Sequence, residues 1–218
     1  MDSPDTSMAH APGASPDAGL RRRLLGAGLV GLVGSLVPSV ASRVSAAPAD
    51  DPATTTTAPP QRPTDADIVL LQFAQTIELA AVDLYDVALS SSGLGDDLLM
   101  LVTDARASHL AYAQSLSAML GTNAAGVAAA DVVDAQRDAF AGGSDAAVAT
   151  AAHDFEDIAV ATHIDLVSQL LSTNAAALLA SILIVEARYS LVFGRLADIT
   201  DLDELLLTNA DALVPGKA

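Results

Sequence analysis

Glutamate is the scarce acid of this chain. Of 27 acidic residues, 23 are Asp and only four are Glu, at positions 78, 156, 186 and 204. Glu186 poses the problem most sharply, because it sits inside "LLASILIVEARYSLVFGRL", with Ile182 and Leu183 a turn before it and Tyr189, Ser190 and Phe193 after it. An ionised carboxylate taken out of water without a partner costs several kcal/mol, so such a residue is exposed, protonated or paired. Glu78 falls on the stripe Leu71, Ala74, Ala81, Tyr85, and Glu156 on the stripe Ala152, Ala159, His163, Leu166, Leu170. His109 occupies the matching place on Val102, Ala105, Tyr112, Leu116. Each lies near the middle of its apolar pattern, so Glu78, His109, Glu156 and Glu186 are candidate ligands at one height of a core.

Three carboxylates gathered in a low-dielectric interior repel one another unless they are protonated or neutralised, and a divalent cation supplies that compensation. Glu reaches further than Asp and can bridge two ions. A donor set of carboxylate and imidazole favours iron or manganese, with zinc as an alternative. The chain has no Cys, which excludes disulfides, thiol catalysis and thiolate metal sites. No Gly-rich phosphate loop is present, and serines such as Ser108 lack the context of a nucleophile. Glu204 reads as surface charge, as do Asp83 and Asp86, while His153 and Asp154 read as solvated.

The elements that position these residues are helices, and no stretch shows strand alternation. Helix one runs from about Thr64 or Asp65 to Leu89, ended by "SSSGLGDD", and helix two from about Gly95 to Leu120, stopped by Gly121. Helix three follows the "GGSD" at 142–145 and continues to Leu171, and helix four follows the "STN" at 172–174 and lasts to about Ala197. Ala80, Ala81, Ala111, Ala113, Ala159 and Ala161 let the helices approach closely. Short turns make each pair antiparallel, whereas residues 121–143 form a long connection. A helix of about 26 residues is about 39 Å long, and about 20 extended residues span that. The fold class is therefore all-α: two hairpins joined by one long crossover, a four-helix bundle over residues 65–200.

The segments "LLQFAQTIELAAVDLYDVAL", "ASHLAYAQSLSAMLG", "DFEDIAVATHIDLVSQL" and "SILIVEARYSLV" together resemble the ferritin-like superfamily, in particular its small exported actinobacterial-type domains. The resemblance implies one Glu on each of two helices and Glu-x-x-His on each of the other two, holding two metals. Glu78 and Glu156 match the lone carboxylates, and Tyr85 matches a tyrosine common in the first helix. His109 matches one histidine, but Arg106 stands where its Glu is expected. Glu186 matches the other Glu, but Tyr189 stands where its His is expected. His163 occupies a place where the family often has tyrosine, and reads either as an added nitrogen ligand or as a core histidine bonded to a backbone carbonyl. Arg106 is able to pair with a core Glu, and Tyr189 to donate to Glu186 across one turn. Two outcomes stay open: a site holding one metal, with weak oxidase or metal-handling chemistry, or a metal-free hydrogen-bonded network in a non-catalytic envelope protein.

The remaining sequence places the domain. Arg21–Arg23, the apolar run Leu24–Ala41 and "VSA" ending at Ala46 have the parts of an export signal, and the paired arginines resemble a twin-arginine signal. An uncleaved anchor is the alternative, although the glycines and Pro38 make the run a poor membrane span. Residues 47–64 are Pro/Thr-rich with nothing to bury, and are expected to form a disordered tether. Residues 201–218 carry a short amphipathic helix and a tail. The formal net charge of −17 argues against nucleic acid, whose phosphates need a cationic footprint. The expected partners are a metal ion and, at most, a second copy in a homodimer, in an extracytoplasmic setting.

Overall fold

A computed structural model describes residues 58–91 and 93–216. Residues 1–46, read above as an export signal, and the first part of the expected tether lie outside these described residues. Six α-helices follow in order: α1 Asp65–Ser90, α2 Asp96–Leu120, α3 Ala130–Phe140, α4 Asp145–Gln169, α5 Thr173–Leu196 and α6 Leu202–Leu206. A 3-10 turn, Gly121–Asn123, follows α2, and no strand occurs among the described residues.

Local chemistry sets the helix ends. Thr64 caps α1 in a capping box with Asp67, Ser144 caps α4 through the Ala147 amide, and Ser172 caps α5 through the Ala175 amide. Gly121 ends α2 with φ +59°, a conformation that costs a glycine little. α1 packs along α2 and α4 along α5, and the two hairpins close around a shared interior.

The crossover departs from the extended chain expected between helices two and three. It contains α3, which lies against both α1 and α4 and sends Val132, Val133 and Phe140 into the core. Phe140 meets Tyr85 edge-on at 5.4 Å between ring centroids and Phe155 at 6.0 Å. Buried Gln75 on α1 fixes the start of this segment. Its Oε1 accepts from the Ala125 amide at 2.7 Å, while its Nε2 donates to the Ala113 carbonyl at 3.2 Å and to Ser117 Oγ. The Ala129 amide also donates to the Thr76 carbonyl, at 3.0 Å.

Residues 60 and 61, at the end of the expected tether, are held in place. The Pro60 carbonyl accepts from the Thr173 amide at 3.0 Å, and the Gln61 carbonyl from Ser172 Oγ at 2.8 Å, so these residues lie on the α4–α5 turn. Fully buried Asp67 grips the same turn, accepting from the Leu171 amide at 2.7 Å and the Ser172 amide at 3.2 Å as well as from Thr64. Burial pushes the Asp67 carboxyl up, but these donors together bring it below its ordinary value. Beyond α6 the chain returns to α4: the Asn209 amide donates to Asp157 Oδ2 and the Leu213 amide to Thr162 Oγ1.

Candidate metal centre

Four helices converge on one polar cluster in this apolar interior. Glu78 comes from α1, His109 from α2, Glu156 and His163 from α4, and Glu186 from α5; four of them are fully buried and His109 is 1% exposed. Each element offers an apolar stripe to the core, and the cluster residues sit within those stripes near mid-helix, so burying the stripe buries the ligand.

His109 bridges two carboxylates. Its Nδ1 donates to Glu78 Oε2 at 2.7 Å and its Nε2 to Glu156 Oε1 at 3.0 Å. The Tyr85 hydroxyl donates to the same Glu156 oxygen, and the Tyr85 ring stacks on His109 at 5.6 Å. On the other side, His163 Nδ1 donates to Glu186 Oε2 at 2.7 Å. That bond turns His163 Nε2 toward Glu78 Oε1, 3.6 Å away. This is too long for a hydrogen bond, but it is a separation two atoms take when they share one ion with bonds of about 2.1 Å.

Among the described residues, four buried side-chain polar atoms have no hydrogen-bond partner: Glu78 Oε1, Glu156 Oε2, His163 Nε2 and Glu186 Oε1. Glu78, His163 and Glu186 each offer one ligand atom within 4.8 Å of the other two. Buried polar atoms are nearly always paired, so several orphans in one cluster ask for a cation. The donor set of two carboxylates and an imidazole suits a first-row divalent metal.

The electrostatics agree. Burial, and then the charge of Glu186, push the Glu78 carboxyl above its ordinary value despite the opposing pull of His109 and His163. Burial opposes charge on His109, but the Glu156 and Glu78 carboxylates outweigh it and hold the ring well above its usual value. His163 is raised in the same sense, by Glu186 and then Glu78 against burial. Without a metal, the two imidazoles are the only cations among the described residues that touch the three carboxylates.

The structure thus brings Glu78, His109, Glu156 and Glu186 together and adds His163 to the inner group rather than leaving it behind the ligands or on a backbone carbonyl. The signal for it was its seven-residue spacing from Glu156, two helical turns along one face. Three expectations are corrected. Arg106 does not reach a core Glu: it forms a two-pronged pair with Asp86 on the outer surface, with Nη2 to Oδ2 at 2.8 Å, because its position on α2 faces an α1 carboxylate much closer to solvent. Tyr189 does not donate to Glu186; its hydroxyl shares a hydrogen bond of 2.8 Å with Ser108 Oγ across the α2–α5 seam. His153 is also buried rather than solvated, with Nδ1 donating to the Ser190 carbonyl at 3.0 Å, whereas Asp154 and Glu204 are exposed.

A family model described as a ferritin-like domain matches residues 66–197. Neither the curated proteins nor the solved structures offer a match to the chain.

Proposed function

We propose, from the premise that the chain belongs to the ferritin-like domain family, that it is an exported metal-binding protein holding iron, or manganese or zinc in its place, on Glu78, His163 and Glu186. The observation that supports this reading is the set of unpartnered buried atoms, three of them on residues whose ligand atoms lie within 4.8 Å of one another. Iron held there would supply one-electron chemistry toward oxygen or peroxide. The chain's own residues orient the donors and exclude bulk water. Glu186 sets the His163 ring through Nδ1, leaving Nε2 on the Glu78 side, where it would serve as a ligand, and such support typically changes metal affinity about 10- to 100-fold. Tyr85 and His109 hold Glu156 from behind. The signal-like pattern read at residues 1–46 supports an extracytoplasmic setting, where metal handling with weak oxidase activity fits the reduced ligand set.

The rival reading is a metal-free envelope protein in which the histidines neutralise the carboxylates. It is favoured by the completeness of the His109 bridge between Glu78 and Glu156. Titration of the purified domain with iron(II) or manganese(II), followed by elemental analysis, separates the two. Metal retained by the unmutated protein and lost in Glu186→Ala and His163→Ala supports the metal site. A protein that takes up no metal supports the rival.

A further inference from the structure

The family pattern is a two-metal centre, and the donors left free in this chain do not supply one. Every ring nitrogen of His109 is engaged: Nδ1 with Glu78 Oε2 at 2.7 Å and Nε2 with Glu156 Oε1 at 3.0 Å. An imidazole has no third nitrogen, so in this arrangement both nitrogens of His109 face carboxylate oxygens and neither is turned to an open donor position. Arg106, in the place of one expected carboxylate, is turned to Asp86, and Tyr189, in the place of one expected imidazole, is turned to Ser108. Glu156 has one oxygen already taken by both His109 and Tyr85, leaving only Oε2.

Of the four unpartnered atoms in the cluster, three belong to the group Glu78, His163 and Glu186, and one, Glu156 Oε2, stands outside it. A single protein oxygen does not define a second ion site, since a catalytic or structural ion ordinarily takes three or four protein donors. His109 lies between Glu78 and Glu156 and occupies the space between these two carboxylates. We infer that this chain is a one-metal member of its fold, with His109 acting as a hydrogen-bonded strut between Glu78 and Glu156 and not as a ligand. This rests on the metal-binding reading above and adds its stoichiometry and the division of labour between the two histidines. His163 is the nitrogen ligand; His109 is a positioning residue that fixes Glu78 and Glu156.

The test is manganese(II) binding to the full-length protein, read by equilibrium dialysis and by electron paramagnetic resonance. One ion per chain is expected, with the six-line spectrum of an isolated centre. His163→Ala is expected to lose the ion at manganese concentrations that saturate the unmutated protein. His109→Gln, which keeps hydrogen-bonding capacity, is expected to retain one ion with affinity lowered about 10-fold, the scale of a residue that orients ligands. Circular dichroism confirms that each variant is folded, and the unmutated stoichiometry needs no variant at all. Two ions per chain with a spin-coupled spectrum overturn the inference while leaving the metal-binding reading intact. So does a His109→Gln protein that loses the ion as completely as His163→Ala. No manganese, iron or zinc bound by the unmutated protein overturns the reading beneath it, and the inference with it.

Discussion

At the scale of single residues, the cluster is a conflict that the fold maintains. Glu78 is fully buried, and its carboxyl is raised by burial and by Glu186. A carboxyl whose folded-state pKa lies above its unfolded value binds its proton more tightly when folded, so ionised Glu78 costs stability at neutral pH and the cost falls away as pH drops. Glu78→Gln removes that charge while keeping the shape and an oxygen for His109 to donate to. The metal-free variant is therefore expected to gain on the order of 1 kcal/mol in chemical denaturation while losing the metal. If the attraction of Glu78 for the two imidazoles outweighed its burial and its repulsion by Glu186, the variant would instead be less stable than the parent. The burial of Glu78, Glu156 and Glu186 was legible in the sequence because Glu is rare here and each of these three interrupts an apolar stripe. The destinations of Arg106 and Tyr189 were not. Spacing fixes which face of a helix a side chain leaves from, but Asp86 and Ser108 win those two side chains by geometry between helices, which spacing does not contain.

At the scale of elements, two buried polar residues that carry no chemistry hold the hairpins in register. Asp67 joins the first turn of α1 to the α4–α5 turn through the Leu171 and Ser172 amides. Because its carboxyl is lowered below the unfolded value of 3.8, its contribution is present above that pH and is lost as pH falls through the lower folded value. Asp67→Ala is expected to cost about 3 kcal/mol, since it strands buried amides and breaks the capping box. The difference between parent and variant should shrink below about pH 4 in acid-denaturation curves. Gln75 does the same for the crossover, and Gln75→Leu should cost about 2 kcal/mol by leaving the Ala125 amide and Ala113 carbonyl without their partner. Hydrogen exchange at Ala125 and across α3 would report the loosening directly. Four long helices were readable from apolar periodicity and turn residues. Helix α3 was not, because "ADVVDAQRDAF" is short and polar and shows only Val132, Val133 and Phe140 to the core. Its place depends on the groove between α1 and α4, and on a side chain of α1 that no local pattern reveals.

At the scale of the whole molecule, the metal and the proton compete for one interior. His109 and His163 have folded-state values raised above the ordinary 6.5, so their contribution to the metal-free fold is complete below that pH and is lost as pH rises through the folded values. Metal binding runs the other way, because His163 must release its proton to present Nε2, and rising pH favours that release. The metal-free and metal-loaded proteins should therefore diverge as pH rises above 6.5: the first loses stability while the second gains affinity. A ligand at a hundredfold excess over its Kd stabilises by about 2.7 kcal/mol. With about 2–4 °C of Tm per kcal/mol at this chain length, saturating manganese or iron should raise Tm by about 5–10 °C at pH 8. The rise should dwindle toward pH 5.5 and disappear with chelator at every pH. The formal charge of −17 adds a nonspecific attraction for cations at the surface, so calcium is the necessary control. A hard oxygen-seeking ion gains little from an imidazole, and a core site built on His163 Nε2 should leave the calcium melting curve close to that of the chelated protein while manganese shifts it. Equal shifts from calcium and manganese would mean that the stabilisation comes from the acidic surface and that the buried cluster binds neither.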